Sequence, residues 1–152
     1  MRTIDSTPTL QHAGPARQPA SDWMHSPVIT LNLYAPVSQA LAMMREHNLR
    51  HLPIVLDTGE LCGMITHGDI RGIDMLRAAG LDPSAIAAAL AQLKVYEVMG
   101  ERSIAITPET SLGDAARLMI EHKIGGLPVV DSSGDVVGIV TESDIFRAFA
   151  EG

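Results

Sequence analysis

The sequence predicts an α/β fold of the α+β type, in which two tandem β-α-β-β-α units pack together with pseudo-twofold symmetry. The first observation is an internal repeat: at an offset of 75, residues 22–71 align with residues 97–146 without a gap. The second is an i, i+3, i+4, i+7 spacing of apolar residues in each copy, which is typical of an amphipathic helix. The third is a Gly- and Asp-containing connection in each copy, which fits a hairpin turn.

Each copy is expected to run through its elements in the same order. A short strand comes first, at residues 28–31 and 104–107. A helix follows, with the apolar stripes Val37, Ala40, Leu41 and Met44 in copy one and Leu112, Ala115, Ala116 and Met119 in copy two. A hairpin comes next, at residues 51–56 and 61–65 in copy one and at 127–130 and 136–140 in copy two. The last helix begins near Asp69 or Asp144.

Segment boundaries follow from the repeat and from the prolines. Residues 1–20 contain three prolines and scattered polar residues, and are expected to form a flexible tail. Unit one is assigned to residues 21–80 and unit two to residues 95–152. A linker helix is predicted over residues 81–94, because Asp82-Pro83 supplies an N-cap and a proline at the first helical position. One unit alone buries too little surface to be comfortably stable, so the copies are expected to pack against each other.

Charge and composition argue against several classes of function. The formal net charge is −7, so long-range electrostatics oppose binding to nucleic acid or to an anionic membrane. No apolar run of about 18 residues is present, so no transmembrane helix is predicted and the chain is expected in the cytoplasm. The single cysteine, Cys62, has no partner for an internal disulfide and is expected to be a buried core thiol.

A Thr-x-x-Asp turn follows an apolar strand in both copies, at Thr66–Asp69 and Thr141–Asp144. The free N–H groups at the start of the following helix attract anions, and a threonine hydroxyl can donate to a phosphate oxygen. An ionised aspartate only accepts hydrogen bonds, and ribose hydroxyls are suitable donors. The alternative is a helix cap, in which the threonine and the acid bond the backbone. Repetition of the motif favours a binding function, although one threonine can serve both purposes.

A second repeated feature begins the second strand of each copy. Residues 49–53 read Leu-Arg-His-Leu-Pro and residues 124–128 read Ile-Gly-Gly-Leu-Pro. Proline at the start of a strand leaves nearby backbone groups unpaired, and those groups could face the edge of a base. The alternative is a connection from helix to strand with a packing role only. The sequence leaves both interpretations open.

Together these motifs resemble a tandem pair of cystathionine-β-synthase-type (CBS) domains, over roughly residues 21–150. The resemblance implies two clefts between the units, each able to hold an adenine nucleotide or a related adenosyl compound. It further implies that Asp69 and Asp144 bind ribose hydroxyls and that Thr66 and Thr141 contact phosphate. The resemblance also implies that the two strand starts contact the adenine. The residues concerned are Arg50, His51, Leu52, Pro53, Gly125, Gly126, Leu127 and Pro128. Thr107 matches a polar site residue of the family.

Copy one departs from this pattern. Asn32 stands in the place of Thr107, with Thr30 as the nearby alternative, and Arg50-His51 replaces the glycine pair. Site one is therefore expected to be more basic and more crowded. Site two is ranked first, although Glu142 beside Thr141 would disfavour a highly charged polyphosphate.

These observations predict a regulatory module and not an enzyme. No metal-ligand spacing and no nucleophile-base arrangement can be assembled from the sequence, so no catalytic or metal-binding residue and no required cofactor is predicted. His67 is a candidate phosphate contact. The expected ligand is AMP first, with ADP, ATP or S-adenosylmethionine as alternatives. The expected partners are a second copy of the chain, through its helices, and a protein effector in trans, since the repeat runs to the C-terminus. The alternative function is a ligand-free dimerisation or protein-interaction module.

Overall fold

The computed structural model describes residues 14–99 and 104–151, which form two units of mixed helix and strand, as predicted. Unit one contains β1 (Leu31–Asn32), α1 (Val37–Glu46), β2 (His51–Val55), β3 (Leu61–Thr66) and α2 (His67–Ala78). The linker helix α3 spans Pro83–Gln92. Unit two contains α4 (Leu112–His122), β4 (Gly126–Val130), β5 (Val136–Thr141) and α5 (Glu142–Glu151). Short 3-10 turns lie at Pro15–Arg17, Ala20–Asp22 and Val95–Glu97.

The two sheets have the same antiparallel hairpin at their centre. In unit one, β2 pairs antiparallel with β3, and β1 adds to β2 in parallel. In unit two, β4 pairs antiparallel with β5, and a single parallel bridge joins Ile106 to Val129. The strand predicted at residues 104–107 is thus reduced to one bridge, and the first strand of unit one begins at Leu31 instead of Val28. After Ile106 the chain turns away, because Thr107 N–H donates to the Thr110 hydroxyl at 3.0 Å and Pro108 has no N–H.

Each unit receives a leading segment that precedes the strands of the other unit. Ala20 is completely buried in the core of unit two, among Ile106, Leu112, Ala115 and Leu127. Val95, at the equivalent position 75 residues later, is completely buried in the core of unit one. Its N–H donates to Ala35 C=O at 2.8 Å. The two cores are therefore completed reciprocally, and neither unit has its full set of contacts without the other.

Because of this exchange, the prediction of a flexible tail is wrong for the C-terminal end of that segment. Residues 14–20 pack on unit two, where Ala20 N–H donates to Thr110 C=O at 2.8 Å and Leu112 N–H donates to Gln18 C=O at 2.9 Å. Residues 1–13 lie outside the described part of the chain. The proline-rich composition misled the prediction here, because the contacts that order this segment come from residues far away in the sequence.

The linker helix covers unit one. Asp82 accepts a hydrogen bond from Ser84 N–H at 3.1 Å, and Pro83 occupies the first helical position, as the sequence predicts. Ile86 and Leu90 of α3 are buried against Val37 and Leu41 of α1. Within the described ranges, none of the helices combines the length and apolar character that a membrane crossing needs. Cys62 is half-buried on β3, so the prediction of a core thiol is wrong.

The reciprocal core can be tested with Val95→Ala. Removing two methyl groups from a completely buried site should lower the free energy of unfolding by about 2 kcal/mol. The matched control is Val98→Ala, three residues further along, where the side chain is 38% exposed and the expected change is under about 0.5 kcal/mol. Urea unfolding measures both. Equal losses in the two variants would show that the leading segment does not contribute to the core of unit one.

Candidate functional site

The two Thr-x-x-Asp turns adopt the same geometry, each at the point where a strand ends and a helix begins. Thr66 N–H donates to Asp69 Oδ2 at 2.8 Å, and the Thr66 hydroxyl donates to the same oxygen at 3.2 Å. Thr141 and Asp144 repeat both bonds at the same distances. The capping alternative considered from the sequence is therefore realised in both copies. It uses one carboxylate oxygen and leaves the other oxygen for a different partner.

The strand starts lie directly beside these turns. His51 is the cross-strand neighbour of Thr66, and Gly126 is the neighbour of Thr141. At the same place, the backbone N–H of the residue after each threonine donates a hydrogen bond to a carbonyl group of the strand start. His67 N–H donates to Arg50 C=O at 2.8 Å, and Glu142 N–H donates to Gly125 C=O at 3.0 Å. Each turn and its strand start thus form one fixed backbone unit.

Two cavities lie between the units, and each combines groups from both. The first cleft has a volume of about 420 Å³ and contains the turn of unit one opposite the glycine pair of unit two. Its walls are formed by His51, Met64, Thr66, Gly68, Asp69, Arg71, Ile104, Lys123, Ile124, Gly125, Gly126 and Pro128. The second cleft, of about 480 Å³, contains the turn of unit two opposite Arg50-His51. Its walls are formed by His25, Pro27, Val28, Ile29, Asn48, Leu49, Arg50, His51, Gly125, Ile139, Thr141, Glu142 and Ser143.

This pairing differs from the grouping inferred from the sequence. The resemblance implies clefts between the units, but the repeat assigns Arg50 and His51 to the same site as Thr66 and Asp69. Across the pseudo-twofold axis, however, Arg50 lines the cleft of Thr141, and the glycine pair lines the cleft of Asp69. Of the basic strand start, Arg50 therefore contributes to the second cleft and not the first, whereas His51 contributes to both. Among the residues that the structure describes, only His51 and Gly125 line both clefts.

His51 fills the space above the glycine pair of unit two. A Cβ atom on Gly126 would lie 2.9 Å from two carbon atoms of the His51 ring, and one on Gly125 would lie 3.4 Å from His51 Nε2. A side chain at position 126 would therefore collide with His51, whereas one at position 125 would only touch it. Burial lowers the pKa of His51 below its usual value, and the opposing attraction of Glu142 does not cancel this effect. The neutral imidazole is the form that the fold favours.

The two aspartates differ in their surroundings. Asp69 is exposed and lines the first cleft. Asp144 is completely buried; its Oδ1 accepts a hydrogen bond from Arg147 and lies 2.9 Å from His25 Nε2. The sequence ranks the site of Asp144 first. These contacts favour the site of Asp69 instead, because Asp69 is exposed and, among the described residues, only its Oδ2 accepts a hydrogen bond from a side chain or from the backbone.

Several residues singled out from the sequence line neither cleft. Leu52 and Leu127 are completely buried core residues, and Pro53 is buried beside them. Asn32 lies at the hairpin end of the sheet, where its amide bonds the carboxylate of Asp57, and Thr107 bonds Thr110. Thr30 and His67 are likewise absent from both sets of lining residues. The family pattern located these residues by sequence position, whereas access to the clefts depends on how the units are oriented.

Sequence reasoning missed several residues that do line the clefts. Ile29 and Ile104 are equivalent in the repeat, and each contributes an apolar wall to the cleft that holds the turn of the other unit. Their match in the gapless alignment was the available signal. Arg71 and Lys123 bring two cations to the first cleft. They come from different units and have no counterpart cations in the repeat, so the sequence carried no signal for them. In the described part of the chain, no cluster of side chains suited to a metal ion is found.

Comparison with known proteins gives matches over most of the chain. A sequence profile of the CBS domain matches it twice, over residues 20–75 and 95–151. Hypoxic response protein 1 of Mycobacterium tuberculosis is 37% identical over 135 residues, which cover 87% of this chain and 85% of that protein. L-aspartate semialdehyde sulfurtransferase of Methanocaldococcus jannaschii is 35% identical over 130 residues. That match covers 84% of this chain but 22% of the sulfurtransferase, so the chain corresponds to a minor part of its length.

Solved structures match the whole arrangement of two units. The CBS domain pair of protein MJ0100, in complex with 5′-methylthioadenosine and S-adenosyl-L-methionine, superposes with a TM-score of 0.71 at 33% identity. The match covers 88% of this chain and 97% of that chain. CBSX2 in complex with AMP superposes with a TM-score of 0.71 at 27% identity, covering 88% of this chain and 96% of that chain. The predicted fold class is confirmed.

The lowered pKa of His51 predicts a pH dependence of stability. A histidine whose pKa is depressed by folding binds fewer protons in the folded than in the unfolded chain. Its contribution to stability is therefore present above the unfolded pKa of about 6.5 and declines as the pH falls below it. Urea unfolding between pH 8 and pH 5 should show a smaller loss of stability for His51→Gln than for the unaltered chain. The control is His122→Gln, at an exposed position on α4. A loss in His51→Gln equal to that of the unaltered chain would contradict the prediction.

Proposed function

This chain belongs to the CBS domain family, and we propose that it is a non-catalytic regulatory module that binds an adenosine compound between its units and signals to a protein partner in trans. The first cleft is the proposed binding site, and AMP is the first candidate ligand. ADP, ATP and S-adenosylmethionine are the alternatives. The observation that carries the proposal is the exposed carboxylate of Asp69, held by Thr66 at the edge of a cleft that also contains two cations.

The first cleft contains a suitable protein group for the ribose, the phosphate and the base of such a ligand. Asp69 keeps its position through Oδ2, and its Oδ1 is available to accept hydrogen bonds from ribose hydroxyls. Arg71 and Lys123 supply positive charge for a phosphate group. Met64 and Ile104 supply apolar surface for the faces of a base. A volume of about 420 Å³ is within the range of small-molecule sites.

The comparisons support this choice of ligand class. The MJ0100 domain pair was solved with 5′-methylthioadenosine and S-adenosyl-L-methionine, and CBSX2 was solved with AMP. The ligands in those two structures share an adenosyl group and differ at the 5′ position. In this chain the two cations of the first cleft favour a ligand that is negatively charged at that position. This is the reason for placing AMP first.

A second candidate function is a dimerisation or protein-interaction module. It is favoured by the outer surface of unit two, where Phe146 and Phe149 of α5 are 69% and 78% exposed. Ile120 on the neighbouring helix α4 is also exposed. Exposed aromatic side chains at this density are typical of an interaction surface. The two functions are compatible, because this surface and the first cleft share none of these three residues.

Ligand binding in the first cleft predicts a rise in the melting temperature. A ligand present at one hundred times its dissociation constant stabilises the folded state by about 2.7 kcal/mol, or about 5–10 °C. We expect this shift with AMP, and its loss in Asp69→Asn. Asp74→Asn is the matched control, since Asp74 is also exposed on α2 but lies outside the first cleft. If AMP, ADP, ATP and S-adenosylmethionine all leave nucleotide-free protein unshifted, the interaction module is the better interpretation.

The exposed aromatic surface predicts self-association of the chain. Replacing Phe146 and Phe149 together by serine removes apolar area from α5 without altering a buried residue, so folding should be preserved. Sedimentation velocity should show a dimer for the unaltered chain and a monomer for this double variant. The control is Arg117→Ser on α4, which changes an exposed polar position. An unaltered chain that sediments as a monomer would contradict this expectation.

A further inference from the structure

The two halves of the repeat differ in what contacts the second carboxylate oxygen of the Thr-x-x-Asp aspartate. In both copies Oδ2 is held by the threonine N–H and hydroxyl. Asp144 Oδ1 accepts a hydrogen bond from Arg147 and lies 2.9 Å from His25 Nε2, and the side chain is completely buried. Among the described residues, no side chain donates to Asp69 Oδ1. At Asp144 both carboxylate oxygens therefore have partners, whereas at Asp69 the described residues bond Oδ2 alone.

The sequence repeat accounts for this difference. His25 aligns with Gly100, and Arg147 aligns with Gly72. Both side chains that contact Asp144 Oδ1 are therefore replaced by glycine in the other half of the repeat. A Cβ atom on Gly72 would meet no heavy atom within 4 Å, so space for a side chain exists beside Asp69 but is not filled.

His25 and Arg147 are held in place by the leading segment that completes the core of unit two. His25 forms a two-way backbone bridge with Ile139: its N–H donates at 2.9 Å and its C=O accepts at 3.2 Å. Met24 packs against Gly138, where a Cβ atom would lie 2.6 Å from the methionine sulfur. The guanidinium of Arg147 lies 5.8 Å from the centre of the Trp23 ring, in a cation-π arrangement. The side chains of His25 and Arg147 are 61% and 50% exposed, and these contacts hold them beside Asp144.

We infer that His25 and Arg147 close the second cleft to ribose, so that the chain binds one adenosine compound and not two. This inference rests on the proposed function of the first cleft. To reach Asp144, a ribose would have to displace the charged guanidinium of Arg147 and the imidazole of His25, and neutral hydroxyls would replace a charge-assisted bond. At Asp69 no described side chain has to leave. In the duplicated motif, the carboxylate of Asp69 is thus open to a ribose and the carboxylate of Asp144 is closed to it.

Isothermal titration calorimetry with AMP, and separately with 5′-methylthioadenosine, tests the inference. The unaltered chain should bind one equivalent. The double variant His25→Ala/Arg147→Ala should bind two, and the control His122→Ala/Arg117→Ala should bind one, since these residues lie on α4 outside both clefts. Two equivalents in the unaltered chain would overturn the inference and leave the proposed function standing. One equivalent in the double variant would also overturn it. No binding by any of the three proteins would overturn the proposed function and the inference with it.

A reciprocal variant keeps the inference testable if the double variant does not fold. Gly72→Arg places a guanidinium three residues after Asp69, as Arg147 is placed after Asp144. We expect it to weaken AMP and 5′-methylthioadenosine binding at least tenfold, while Gly72→Ala leaves the affinity within twofold of the unaltered chain. Unchanged or tighter binding of the uncharged 5′-methylthioadenosine by Gly72→Arg would contradict the inference. The uncharged ligand matters, because an added arginine can attract the phosphate of AMP.

Discussion

The structure depends on the exchange of leading segments between the two units. Ala20 is completely buried in unit two and Val95 in unit one, so each hydrophobic core is completed by residues that precede the strands of the other unit. A unit of this size has a small core, and the loss of one such segment removes a sizeable part of it. The exchange therefore fixes the pseudo-twofold arrangement. That arrangement in turn sets the turn of each unit opposite the strand start of the other and creates the clefts between them.

Because the clefts are shared, a change in one half of the repeat alters the environment of the other half. His51 of unit one packs on the glycine pair of unit two and lines both clefts. Its equivalent in the repeat is Gly126, which has no side chain to return the contact. The backbones of the two halves remain nearly symmetric, since the same turn and hairpin registers recur. The asymmetry arises from side chains, and it determines which charged side chains line each cleft and which aspartate is exposed.

Local features of the fold could be predicted from the sequence, and long-range ones could not. The helices, the hairpins and the Thr-x-x-Asp turns follow from periodicity and turn chemistry within short segments, and the structure has them. The repeat assigns Arg50 to the site of Asp69, whereas Arg50 lines the cleft of Thr141 across the axis. The sequence also predicts an open Asp144. His25, which contacts that side chain, is distant in the sequence and could not be connected to it by any local pattern.

Capping and ligand binding are not competing interpretations of the Thr-x-x-Asp turn, because a carboxylate has two oxygens. The cap uses Oδ2 in both copies and holds the side chain in one orientation, so little conformational entropy remains to be lost when Oδ1 meets a ligand. The cap therefore preorganises the carboxylate. What separates a binding residue from a structural one is the occupation of Oδ1. At Asp144 that oxygen contributes to the stability of unit two, through His25 and Arg147. At Asp69 the Oδ1 oxygen remains available to accept hydrogen bonds from the proposed ligand.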